Sequence, residues 1–240
     1  LPVLLATYVL AQIEKVLNKV VHDSIKMLVV GPVALLITGF LAFIVIGPIA
    51  LILGTGITNG VTYVFEHAGW LGGALYGLLY APLVITGLHH MFLAVDFQLM
   101  GSSLGGTYLW PILAISNICQ GSAAFGAWIV YKRKKMVKEE GLAFTSGISG
   151  VLGVTEPALF GVNLPLKYPF IAAILTSSVL GAFIGAHKVL GSVGVGGWPA
   201  FISIKSEFWW IYLPATLIAT VVPAVLTIVF SRFSNQKAKK

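Results

Sequence analysis

The 240-residue chain is 58% hydrophobic and only 10% charged, with fifteen Lys and Arg against eight Asp and Glu and a formal net charge of +7. Soluble domains carry about a quarter of their residues as charges and need a polar exterior, so this composition excludes an ordinary soluble protein and calls for a lipid surrounding. Nucleic acid is excluded as a partner because the positive charge forms no stripe. It gathers in Lys132, Arg133, Lys134, Lys135 and Lys138, and again in Arg232, Lys237, Lys239 and Lys240; basic clusters beside apolar spans mark cytoplasmic loops.

Residues 1–10 are apolar but too short to span a bilayer. The chain opens at Leu1 without an initiator Met or a signal-peptide pattern, and its start is expected to lie inside a longer protein. Over 11–23, Ile13, Val16, Leu17, Val20 and Val21 recur at helical spacing opposite Glu14, Lys15, Asn18, Lys19, His22 and Asp23. That pattern predicts an amphipathic helix at the membrane surface. Met27 to Leu53 is one apolar run longer than a bilayer core requires, so it must tilt, or bend at Gly31-Pro32 and Gly47-Pro48. Residues 54–60, rich in Gly and Thr, read as a turn. Ala68 to Leu88 is a second span, with Gly69, Gly72, Gly73, Ala74 and Gly77 permitting close helix packing.

Residues 89–106 are no plain span: His89, His90, Asp96 and Gln98 precede a Gly-rich stretch. Tyr108 to Tyr131 is apolar but carries Asn117 and Gln120, and the basic loop 132–140 follows. Leu142 to Leu164 is interrupted by Gly147, Gly150, Gly153, Pro157 and Gly161. Tyr168 to Ala186 is a clean span, 187–206 is Gly-rich, and Phe208 to Phe230 is a last span anchored by Trp209, Trp210 and Tyr212. Both basic clusters belong on the cytoplasmic side, so an even number of crossings separates them. The three apolar segments between them then require 142–164 to re-enter or 187–206 to cross; the breaks and Glu156 favour re-entry of 142–164. The same count from Lys26 to Lys132 points to 89–131 as a second broken region. Non-helical backbone at membrane depth survives only inside protein or along a wet cavity, and two such segments place a transport site near mid-membrane.

Glu156 is the strongest single candidate, since a carboxylate in an apolar, Gly-rich segment is costly unless it faces a cavity or pathway. Pro157 suits the first turn of a helix beginning at Glu156, and Thr155 and Asn163 add neutral hydrogen-bonding groups. His89 and His90 are the second signal; adjacent on a helix, at most one would point into a given cavity. Asp96 reads equally as a pocket or a surface residue. Cys119 alone makes no disulfide and no metal-ligand spacing exists, so neither metal nor other cofactor is expected. Carboxylate, imidazole and amide groups suit sugar hydroxyls, but the same set would hold an amino acid or relay protons. An ion-coupled secondary transporter and a non-catalytic membrane scaffold therefore stay open at this point.

Gly153-Val154-Thr155-Glu156-Pro157-Ala158-Leu159-Phe160-Gly161-Val162-Asn163-Leu164 resembles the G-[IV]-T-E-P-A-[IL]-[FY]-G-V-N-L signature of the sugar phosphotransferase system, enzyme II C domain, glucose superfamily. Gly87-Leu88-His89-His90 resembles that family's G-[VL]-H-H element. Asn117-Ile118-Cys119-Gln120-Gly121 resembles the N-[IV]-[AC]-Q-G stretch of its sucrose, trehalose and β-glucoside branch. Ile13-Glu14-Lys15-Val16-Leu17 resembles its amphipathic linker. The motifs fall in order across the whole chain, and overall similarity is greatest to the trehalose-carrying members.

The resemblance implies an all-α, multi-spanning inner-membrane protein with re-entrant hairpins, of which this chain is the C-terminal, sugar-binding half. Residues 1–10 would end a helix of the dimerising half and 11–26 would be the amphipathic linker. Residues 27–231 would form the transport domain, with re-entrant segments near 89–131 and 142–164, and 232–240 a basic cytoplasmic tail. The resemblance further implies trehalose uptake with phosphorylation to trehalose 6-phosphate, with sucrose or a β-glucoside as the alternative sugar. The phosphoryl group would come from a cysteine of a separate B domain, charged by a cytosolic A component, and Cys119 is not that cysteine. Without the B domain the chain alone is expected to be inactive. Glu156 and His89 are the implied catalytic candidates, joined in sugar binding by His90, Thr155, Asn163, Gln120 and Asp96. A homodimer in membrane lipid is the implied assembly.

Overall fold

The computed structural model describes residues 2–237, so Lys239 and Lys240 of the basic tail lie outside the described residues. The chain is all-α. Among the described residues the β pairing is confined to two isolated bridges, Thr107 with Gly191 and Gly191 with Ile204. Among the described residues, five helices are long and apolar enough to cross a membrane: Asp23–Ile49, Thr55–Ile85, Leu109–Arg133, Tyr168–Ala186 and Ser206–Phe233. Two compact units divide at Asn59 and Gly60.

In the first unit, α1 (Pro2–Val20) packs against α2 (Lys26–Leu41). Val30, Ala34 and Thr38, four residues apart, are the buried stripe of α2. The bend expected at Gly47-Pro48 takes the form of a π turn, Ala42–Ile46, before α3 (Gly47–Ile85). Proline lacks an N–H and crowds the carbonyl four residues back, and widening the turn relieves both. The turn expected over 54–60 does not form; that stretch is helical within α3. Gly and Thr end helices where water can take up the freed backbone groups, and lipid offers no such replacement. The interruption falls instead at Ala68, whose φ of −144° and ψ of 54° leave the helical region.

The second unit begins at Gly60 and contains α4 (Phe92–Gly101), α5 (Leu109–Arg133), α6 (Val137–Val151), the single turns α7 (Glu156–Ala158) and α8 (Leu164–Leu166), α9 (Tyr168–Ala186) and α10 (Trp209–Lys237). α5 is its axis, packed against α6, α9 and α10 and almost wholly buried. Its apolar residues run all round rather than along one stripe, as a helix enclosed by protein requires.

α3 and α9 meet along a ladder of small residues: Gly69 lies against Gly185, Gly73 against Gly181, and Gly77 against Ser177. A Cβ on Gly73 would sit 2.0 Å from the Gly181 carbonyl oxygen. Between apolar helices in lipid, such backbone contact supplies the dispersion energy that hydrophobic burial supplies in water. Across the ladder Ser178 Oγ donates to the Ala74 carbonyl at 3.0 Å.

α5 also reaches into α10. Ser122 Oγ donates to the Thr220 carbonyl at 2.6 Å and accepts from the Ala224 amide at 3.2 Å. Those two backbone groups are four residues apart, so the hydroxyl is spliced into one rung of the α10 ladder, beside Pro223. The outward face of α10 carries exposed Trp210, Leu217, Val221, Val225 and Phe233, an apolar exterior of the kind lipid covers.

Candidate functional site

Both broken segments of the second unit are tied to α5. The first begins at Gly87, whose φ of +74° turns the chain out of α3 at little cost because glycine lacks a Cβ. The 3-10 turn Leu88–Met91 follows, carrying His89 and His90. The expectation that at most one of the histidines faces a cavity is corrected here. Both line the same one, with ring centroids 3.9 Å apart. The expectation assumed α-helical spacing, which a short 3-10 turn does not impose. Tyr80 of α3 meets His89 edge-on at 6.1 Å.

α4 then brings Asp96 inward, leaving it 1% exposed. Of its two sequence readings, pocket and surface, the structure takes the pocket. Thr107 Oγ1 donates to Asp96 Oδ1 at 2.6 Å and accepts from the Leu109 amide at 3.1 Å. One hydroxyl thus takes up the first amide of α5 and joins that helix to α4. Burial pushes the Asp96 carboxyl up to about 6, with the Thr107 hydrogen bond opposing the shift. His89 is held below the ordinary imidazole value, first by burial and then by the neighbouring His90; the Glu156 charge acts in the opposite sense.

The second broken segment follows α6. Gly153, at φ +107°, makes the reversal, and buried Thr155 precedes Glu156, the first residue of α7 with Pro157 behind it. A π turn, Leu159–Asn163, and α8 complete a run that never becomes a regular helix. Glu156 is exposed. It stands close enough to the turn of histidines for its charge to act on both the His89 ring and the Tyr80 hydroxyl.

A cavity of about 240 Å³ lies between the segments, lined on its polar side by Tyr80, His89, His90, Asp96, Trp110 and Asn117. Leu93 and Leu113 supply apolar wall, while Gly153, Gly194 and Gly196 present bare backbone. The Gly-rich connection 187–206 forms this last wall through backbone pairing. Thr107 and Gly191 exchange hydrogen bonds at 2.8 and 3.1 Å, and the Lys205 amide donates to the Leu190 carbonyl. Lys205 Nζ donates to the Leu104 carbonyl at 2.9 Å.

The sequence candidates therefore divide. His89, His90 and Asp96 share the cavity. Gln120 and Asn163 pair with each other in the interior, 2% and 0% exposed, Asn163 Nδ2 donating a hydrogen bond to Gln120 Oε1 at 2.8 Å, and neither lines it. Thr155 is buried beside Glu156 without lining it. Tyr80 and Trp110 went unnoticed in the sequence, because aromatic residues in apolar helices carry no signal separating cavity wall from core. Asn117 was visible as a motif residue, and its isolation in an otherwise apolar helix was the usable sign. Tyr80 and Trp110 offer aromatic faces, and the Trp110 indole N–H is buried without a partner. Aromatic faces beside imidazole, amide and carboxyl groups can bind a polyhydroxylated ring of moderate size. Cys119 is fully buried within α5, with no thiol surface for a donor to reach.

Residues 1–177 match the family described as Phosphotransferase system, EIIC. The trehalose-specific EIIBC component of Bacillus subtilis is 50% identical over 237 residues, covering 98% of this chain and 50% of that protein. The sucrose-specific EIIBC component of Staphylococcus xylosus is 46% identical over 86% of this chain and 43% of its own length. The trehalose-specific EIIBC component of Escherichia coli is 40% identical over 95% and 48% respectively. The chain thus spans about half the length of these relatives. No solved structure matches it.

Proposed function

From the premise that this chain belongs to the phosphotransferase system EIIC family, a multi-pass integral membrane domain, we propose that the complete protein carries trehalose across the bacterial inner membrane and releases it as trehalose 6-phosphate. The observation that carries this reading is the cavity between two broken segments, with the paired imidazoles in its lining; Glu156, exposed on the second segment, does not line it but lies near enough for its charge to act on His89. Trehalose is preferred because the relative of 50% identity bears that name. Sucrose is the second reading, favoured by the 46% identity of a sucrose-specific relative.

The sugar lies against Tyr80 and Trp110, with hydroxyls on Glu156, His89, His90 and Asp96. Residues near 89–131 and 142–164 build this site, the first through the break that precedes α5, which is itself long enough to cross, and the second by re-entering the membrane. α6, with fifteen residues, is not among the five helices that can cross. Two that can, α9 and α10, then separate the basic clusters and keep them on one side. A phosphocysteine of a B domain, charged by the A component, supplies the phosphoryl group. The S–P bond breaks as the sugar's 6-hydroxyl oxygen bonds to phosphorus, and the hydroxyl proton passes to His89 or Glu156 as general base. Residues 11–26 act as the linker on which residues 27–231 move, 232–240 face the cytoplasm, and the working assembly is a homodimer in lipid.

The test is calorimetry on the complete protein with trehalose and sucrose. Trehalose is expected to bind more tightly, and Glu156→Gln to weaken it by about tenfold or more, the scale of losing a charged hydrogen bond. Wild-type affinity in that variant removes Glu156 from the site, and tighter sucrose binding reassigns the sugar.

A further inference from the structure

The two amides of the Asn117–Gly121 motif stand three residues apart, one turn of α5, and therefore share a face. Each grips a different end of the segment bearing Glu156. Asn117 Nδ2 donates to the Gly153 carbonyl at 3.3 Å, three residues before the carboxylate. Asn163, seven residues after it, sends Nδ2 to the backbone carbonyl of Gln120 at 2.9 Å and to its side-chain Oε1 at 2.8 Å. Asn117, Gln120 and Asn163 are 5%, 2% and 0% exposed.

Three glycines complete the grip. Gly153 abuts Gly196, where a Cβ would lie 2.6 Å from the backbone carbon of Gly196. A Cβ on Gly196 would in turn lie 2.4 Å from Asn117 Nδ2. Gly121 meets α6 so closely that a Cβ would stand 2.4 Å from the Val151 amide. The run from Glu156 to Leu166 has only single α turns and one π turn, too little regular helix to hold itself in place. Its position must come from outside: Ser149 of α6 donates to the Val154 carbonyl at 2.8 Å, and the amides of α5 reach the segment at both ends.

We infer that Asn117, Gln120 and Asn163 form a clamp that fixes the Glu156 turn to α5, and that Gln120 and Asn163 are positioning residues rather than sugar contacts. The two sequence motifs are then one mechanical unit, with α5 as the rail. The same helix is joined at its start to α4 through Thr107 and Asp96, so both walls of the cavity are referred to one rigid element. The consequence for transport rests on the reading of Glu156 as a sugar ligand; the clamp itself does not.

Hydrogen–deuterium exchange on the complete protein in nanodiscs tests the clamp without reference to sugar. Asn163→Asp removes the donor of both bonds, and Asn117→Ala removes the other anchor. Each is expected to speed exchange across 153–163 by roughly tenfold, as loss of a buried hydrogen bond does, leaving α9 and α10 unchanged. Gln120→Glu keeps the acceptor and should preserve wild-type exchange, while Gln120→Met keeps only the backbone acceptor and should fall between. Trehalose calorimetry on the same samples should show the affinity falling in that order. Unchanged exchange at 153–163, or acceleration spread evenly over the unit, overturns the clamp. Local acceleration with unchanged trehalose affinity leaves the clamp standing and overturns the Glu156 reading instead.

Discussion

Gly73→Ala and Gly60→Ala make the same chemical change in the same helix and should move stability in opposite directions. At Gly60 an added methyl meets nothing within 4 Å, so the only effect is the gain in helix propensity, about 0.5–1 kcal/mol. At Gly73 the methyl would lie 2.0 Å from the Gly181 oxygen and 2.7 Å from its carbonyl carbon. The first distance is over 1 Å inside the 3.4 Å at which ordinary contact begins, and the obstacle is backbone, which cannot turn aside as a side chain can. α3 and α9 must therefore separate, loosening the neighbouring contacts at Gly69 and Gly77 that a Cβ would likewise enter at 2.2 and 2.3 Å. Overpacking of this kind costs about 1–3 kcal/mol, occasionally more, which outweighs the propensity gain. Thermal unfolding of the detergent-solubilised complete protein, followed by tryptophan fluorescence, should give a lowered midpoint for Gly73→Ala and an unchanged or raised one for Gly60→Ala. Equal midpoints would show that the ladder is not a backbone contact and refute the reasoning.

Other perturbations test the remaining joints. The folded chain binds the Asp96 proton more tightly than an unfolded one, with the carboxyl raised from 3.8 to about 6. Its ionisation therefore costs nothing below about pH 4 and up to about 3 kcal/mol of folding stability once pH exceeds 6. Asp96→Asn, which keeps an acceptor for Thr107, should raise the unfolding midpoint at pH 8 and leave it unchanged near pH 4; an equal effect at both values contradicts this. Ser122→Ala deprives the Thr220 carbonyl and the Ala224 amide of their shared partner. It should destabilise by about 1–3 kcal/mol, and a wild-type denaturation midpoint would show that the α10 rung closes directly.

Much of the fold was legible in the residues because a bilayer imposes few alternatives. Long apolar runs must be helices, so 108–131, 168–186 and 208–230 could be located within a few residues of the spans Leu109–Arg133, Tyr168–Ala186 and Ser206–Phe233, while 68–88 captured only the part of α3 that follows Ala68. The stretch 54–60 misled because turn chemistry learned in water was applied where the helix has no competitor for its hydrogen bonds. Among the candidates, His89, His90 and Asp96, which line the cavity, and Glu156, which does not, stood out because polar side chains are expensive in apolar segments. Their partners Tyr80 and Trp110 did not, since the same residue types fill the core at Tyr76 and Tyr212.

The one-dimensional order of residues thus determined the membrane character, the helical class and the short set of polar groups worth suspecting, because desolvation energy is a property each residue carries with it. It could not determine which of those groups meet. Gln120 and Asn163 are 43 positions apart and bond to each other, while Asp96 and Asn117 share the cavity wall. Such assignments depend on how α4, α6 and the turns after them pack against α5, and hydrogen bonds between distant segments form only where close packing has already brought the donors and acceptors within reach.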